Sequence, residues 1–159
     1  MRIASFAARV DLRPGFYLLV ALFALVELLV APGALAGEEM DVRKGGSPWA
    51  RLEKGGAVRI DGVIVGEIED DGTIRVEGRI AGRVEEDGEI REDGTVRTRV
   101  EKDGTLRRNG TVIGRIEESG TIRRHGTIWG EASPCCASFD DLRRLTALLL
   151  FFDRSFFVR

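Results

Sequence analysis

Glycine recurs through the middle of this chain every sixteen residues, and a period held that strictly restricts the fold more than composition can. Gly56, Gly72, Gly88, Gly104 and Gly120 form one series, and Gly62, Gly78, Gly94, Gly110 and Gly126 a second. Arg59, Arg75, Arg91, Arg107 and Arg123 keep the same step, while a third glycine series, Gly66, Gly82, Gly114 and Gly130, is interrupted at Thr98. Asp71, Asp87 and Asp103 precede glycines of the first series; Asp61, Glu77, Asp93, Asn109 and His125 precede those of the second. Such pairs suit two-residue hairpin loops, where glycine takes positive φ without steric cost. The intervening segments are therefore predicted to be antiparallel strands, alternately short, as at 105–108, and long, as at 111–118.

Side chains along a strand point to opposite faces in turn. Parity puts Val58, Ile74, Ile90, Leu106 and Ile122 of the short strands on one face. Ile64, Ile80, Val96, Val112 and Ile128 of the long strands join them, with Ile68, Val84, Val100 and Ile116. The other face takes the arginine series, Glu69, Glu85, Glu101 and Glu117, and also Trp49 and Trp129. The third glycine series falls on the apolar face, where crowding between converging strands would demand it. Thr98 marks a place to expect distortion.

The segment MDVRKGGSPWARLEK, residues 40–54, is a degenerate first unit that keeps the phase at Val42, Arg43, Gly46 and Leu52. Long strands beginning near 47, 63, 79, 95 and 111 and short ones near 57, 73, 89, 105 and 121 make about ten in five repeats. A ribbon with one apolar face hides that face, and loses both edges, by closing on itself. The expected fold is an all-β, closed, shallow antiparallel barrel over residues 40–132. A β-solenoid that stacks into cell-envelope filaments is the alternative.

The flanks differ in kind. Residues 1–14 carry Arg2, Arg9 and Arg13, GFYLLVALFALVELLVA follows at 15–31, and the small residues Ala34 and Ala36 stand three and one before a cleavage point after Ala36. Residues 1–36 therefore read as a secretory signal peptide cleaved after Ala36, with an uncleaved anchor as the competing reading. The expected location is exported: periplasm, cell envelope or outside the cell. Cleavage would leave 21 basic against 24 acidic side chains, a formal charge near −3, which does not favour nucleic acid as a partner.

The tail, residues 133–159, is expected to hold a helix with Ser138 as N-cap and Asp140 and Asp141 in its first turn. Leu142, Leu145, Leu148, Leu149 and Phe152 recur at helical spacing, forming an apolar face that plugs the barrel or, with Arg143, Arg144, Arg154 and Arg159, docks on a membrane.

At this point the repeats resemble a known family. GTVIGRIEESGTIRRHGTIWG is similar to the repeating glycine pattern of the five-fold β-flower proteins over residues 40–132, and the phenylalanine-rich end, LTALLLFFDRSFF, fits the apolar tail common there. The resemblance implies a nearly symmetric barrel with hairpin petals and an apolar interior. It implies no reaction, and comparison of that family with tubby-like barrels raises lipid or membrane association.

Candidate chemistry is sparse. His125 is the single histidine and sits in a turn, so no metal site is expected, and no Gly-Lys-Ser/Thr segment opens a phosphate loop. The arginine series reads as solvated ion-pair ladders, or as an anion-recognising ring. Trp49 and Trp129 read as covering the closing seam, or as stacking on a sugar. Cys135 and Cys136 read as an intermolecular disulfide linking a homo-oligomer or as two small buried residues, since adjacent cysteines bridge each other with difficulty. The expected function is a non-enzymatic binding or scaffold module, without cofactor, that engages lipid or another apolar ligand through the barrel interior or the C-terminal tail.

Overall fold

The computed structural model describes residues 37–157, except the side chain of Arg154. The expected signal segment and Arg159 lie outside the described residues. Twelve strands follow one another: β1 (Met40–Lys44), β2 (Ser47–Leu52), β3 (Ala57–Ile60), β4 (Val63–Ile68), β5 (Thr73–Val76), β6 (Arg79–Val84), β7 (Glu89–Glu92), β8 (Thr95–Val100), β9 (Thr105–Arg108), β10 (Thr111–Ile116), β11 (Thr121–Arg124) and β12 (Thr127–Ser133). Each pairs antiparallel with its sequence neighbours, and β1 closes the barrel against β12, Val42 opposite Ala132. The solenoid alternative is thereby excluded. The barrel has six hairpins instead of five repeats, because the degenerate first unit does form its short strand and the last unit its long one.

The two turn series differ. At the tips, where short strands run into long ones, both central residues take positive φ, as at Asp61 (52°) and Gly62 (80°), the two-residue turn expected. At the opposite rim the loop has three residues: Glu69 N–H donates to Thr73 O and Gly72 N–H to Glu69 O, with Gly72 at φ 88°. An Asp-Gly pair is compatible with either turn. All ten glycines of the two series have positive φ.

Each hairpin carries one β-bulge. Val58 pairs with Gly66, but Arg59 pairs with Ile64, so Val65 is left over, and Trp49, Ala81, Arg97, Ile113 and Trp129 are skipped in the same way. An extra residue reverses parity beyond it. Ile64, Ile80, Val96, Val112 and Ile128, expected inside, consequently point outward and are exposed, Ile80 by 67%. Trp49 and Trp129 move the other way and pack half-buried against the core. Val58, Ile68, Ile74, Val84, Ile90, Val100, Leu106, Ile116 and Ile122 are buried as expected, with Met40, Val42, Ala50, Leu52 and Ala132 added by the first and last hairpins.

The interior is filled by α1 (Phe139–Phe152), whose residues 142–151 are all buried. Ser138 caps it with a reciprocal pair, its Oγ accepting from Asp141 N–H and its own N–H donating to Asp141 Oδ2, both at 3.1 Å. Leu145, Leu148 and Leu149 are fully buried, Leu142 nearly so and Phe152 half-buried. Arg143 and Arg144 are buried too, so their expected membrane-facing place is corrected: Arg144 donates to the carbonyls of Glu38 and Glu53 at the three-residue-loop rim.

The third glycine series is explained by this filling. A β-carbon on Gly66 would stand 2.2 Å from Arg75 O and 2.7 Å from the Phe152 ring. Thr98, the exception, is buried with its hydroxyl unpaired, and pairing between β8 and β9 stops at Arg99–Arg107, one step short of the Gly66–Val76 pair of the equivalent strands. Gly66→Ala is expected to cost about 3 kcal/mol or more in chemical denaturation, since a backbone carbonyl cannot give way. Thr98→Val, which removes the unpaired hydroxyl at equal volume, is expected to raise stability by about 1 kcal/mol.

Candidate functional site: the rim of hairpin tips

All six tips lie on one rim, because each closes a short strand onto the following long one. The large exposed hydrophobic side chains among the described residues gather there: Ile64, Ile80, Val96, Val112 and Ile128, one in each of five hairpins, with Val63 beside Ile64. Pro48, exposed opposite Arg43, holds the corresponding slot of the first hairpin. Hairpins repeat about every 10 Å around the wall, so these side chains form a spaced ring.

The mouth inside this ring holds the C-terminal end of α1 and a single 3-10 turn, Arg154–Phe157. Trp49 and Trp129 meet edge to face at 5.4 Å across β1, and Trp129 meets Phe156 at 5.3 Å. The pair thus sits at the closing seam. Lys44 Nζ lies over both indoles, at 5.9 and 5.3 Å, and bonds Asp153 Oδ2 at 2.6 Å. Arg108 donates to Phe157 O at 2.6 Å, with its guanidinium 6.0 Å from the Phe157 ring centre.

Charge at the tips is uneven. Asp61, Glu77, Glu92 and Asp93 belong to the β3–β4, β5–β6 and β7–β8 hairpins, where Arg79 and Arg97 partly offset them, whereas Lys44, Arg108 and Arg124 belong to three adjoining hairpins, β9–β10, β11–β12 and β1–β2, whose tips carry no acid. The opposite rim is acidic: its five loops carry eleven carboxylates against Lys54 and Lys102. Wall arginines pair with part of these. Arg107 Nε meets Glu101 at 2.7 Å and Arg123 Nε meets Glu117 at 2.6 Å; Arg59 pairs with Glu53 and Arg75 with Glu69 in the same manner. Arg91 departs, meeting Glu89 at 2.7 Å and Glu85 at 3.4 Å. The arginine series is a ladder of half-exposed pairs that solvent screens, and not an anion-recognising ring.

Cys135 and Cys136 form a disulfide with each other, which the sequence reading disfavoured; their Cα atoms are 3.3 Å apart across a cis peptide bond. Cys136 is buried and lines a groove of about 840 Å3 at the acidic rim. His125 sits at its tip with φ 48°. Among the described residues no cluster of three or more His, Cys, Asp or Glu is placed to hold a metal, and no helix is long and apolar enough to cross a membrane. Sequence reasoning passed over Lys44, Arg108 and Arg124, although all three stand at the last position of a short strand, where Ile60 and Val76 are apolar.

Burial disfavours the Asp153 carboxylate, but bonds from Lys44 and Ser155 outweigh it and hold its pKa below the ordinary aspartate value. Its stabilising effect is therefore complete above about pH 3.9, the unfolded-state value, and lost as pH falls through the lower folded value. Asp153→Asn is expected to lower stability by about 1 kcal/mol at neutral pH. The difference from the parent, followed by denaturation at stepped pH, is expected to shrink below about pH 4.

No protein-family profile, curated protein or solved structure matches this chain.

Proposed function

We propose that the protein is an exported, non-enzymatic docking module whose hairpin tips settle onto a lipid interface. The observation that carries this reading is the confinement of the large exposed aliphatic side chains among the described residues to the tip rim, where five of the six hairpins carry one or two. Two further facts support it. The barrel interior is occupied by the chain's own helix, so an apolar partner meets the molecule from outside. The outer wall carries arginine–glutamate pairs, where a barrel spanning a bilayer shows lipid an apolar band.

A ring of β-branched side chains a few ångströms deep suits the boundary between headgroups and acyl chains. The cations of three adjoining hairpins add attraction to anionic headgroups on one side of the rim, and the acidic loops turn the other rim away. The likeness of the repeats to the β-flower proteins agrees with a binding role and supplies no reaction.

Deleting residues 138–159 is a poor test, because it removes the helix that fills the barrel. The direct one is flotation of the purified chain with phosphatidylcholine vesicles containing phosphatidic acid. Ile64→Asp combined with Ile128→Asp is expected to reduce the vesicle-bound fraction by roughly tenfold or more while leaving stability within about 0.5 kcal/mol, since both side chains are exposed. Unchanged flotation of that variant, or none by the parent, overturns the reading.

A further inference from the structure

The six hairpins repeat one another, so the places where neighbouring hairpins break the repeat together stand out. Before the tip glycine, the β3–β4, β5–β6 and β7–β8 hairpins carry Asp61, Glu77 and Asp93; the next two carry Asn109 and His125. At the last position of the short strand, Ile60, Val76 and Glu92 give way to Arg108 and Arg124 in the same two hairpins. β10 and β11 are hydrogen-bonded neighbours, so both departures meet at one place on the rim.

A cleft of about 310 Å3 lies there, between the tips of β9–β10 and β11–β12. Arg108, Asn109, Thr111 and His125 line it above Ile113 and Phe156, and none of its lining residues is Asp or Glu. Three larger clefts of the described surface each count at least one carboxylate residue in their walls. The Arg108 guanidinium donates to Phe157 O, and Arg108 pairs with Thr111 of β10 but not with β8, whose pairing to β9 ends at Arg99–Arg107.

The donors suit one ligand chemistry. Guanidinium, amide, hydroxyl and imidazole N–H offer hydrogen bonds to several oxygens of a tetrahedral anion, and the guanidinium adds charge in a fork that fits two of them. The phenylalanine and isoleucine beneath suit an apolar remainder. We propose that this cleft binds a phosphate ester, as a lipid headgroup or as a free soluble ester. Only the lipid source rests on the docking reading above; the cleft itself does not.

The purified full chain has one histidine, so the His125 ring signals report on the cleft alone. Titration with glycerol 3-phosphate is expected to shift them, and titration with glycerol is not. Arg108→Gln is expected to weaken the response about tenfold. Asn109→Asp restores the acid that three other tips carry at the same turn position, which safeguards folding, and is expected to abolish the response. In flotation, vesicles of phosphatidylcholine with phosphatidic acid are expected to retain the parent better than phosphatidylcholine alone, and Asn109→Asp to erase that preference.

A phosphate-dependent shift without flotation leaves the cleft standing as a site for a soluble ester and removes the docking reading. Flotation indifferent to phosphatidic acid, with His125 signals unmoved by glycerol 3-phosphate, overturns the cleft and leaves the docking reading. A shift that persists in Asn109→Asp also overturns the assignment to this cleft.

Discussion

At Gly66, Gly82, Gly114 and Gly130 a carbonyl oxygen of the neighbouring strand stands 2.1 to 2.4 Å from where a β-carbon would lie. That close approach lets adjacent hairpins converge, and the missing side chains leave room for the aromatic rings of the tail: Phe152 against Gly66, Phe151 against Gly82 and Phe156 against Gly114. Wall and filling are thus fitted at the same positions. The bulge immediately before each of these glycines belongs to the same arrangement, because it bends the long strand where the wall must curl.

This explains why the sequence predicts the barrel better than it predicts which residues line it. Turn glycines, alternation and closure are read directly from the period, and the N-cap at Ser138 from local capping chemistry. A bulge has no side-chain signature of its own: Trp49, Val65, Ala81, Arg97, Ile113 and Trp129 are six positions of five residue types. Parity counted through it places Ile64 and its equivalents inside, when they form the exposed ring on the rim. The sequence count of hairpins falls one short for a related reason. The first unit lacks the leading glycine, yet Met40 and Val42 still bury themselves, and burial decides whether the strand forms.

The candidate site was barely legible. The residues at the tips differ from repeat to repeat, and without a fold those differences look like tolerated drift on a solvated turn. Closure gives them meaning, because it makes the β1–β2, β9–β10 and β11–β12 hairpins contiguous and so collects Lys44, Arg108 and Arg124 on one side of a mouth that Trp49, Trp129 and Phe156 already crowd. A sixteen-residue scaffold repeated six times also allows such local change at low cost: a tip residue can be replaced without disturbing the buried rows on which the wall depends.

The position of α1 after β12 has a consequence for how the chain is assembled. β1 is synthesised well before α1, yet the seam between β1 and β12 encloses that helix. Until α1 emerges, the nascent sheet is a curved trough with an uncovered oily floor and two unpaired margins, a form prone to self-association. Wrapping around the helix and zipping the seam are thus coupled, so residues more than ninety positions downstream help decide whether β1 finds its place.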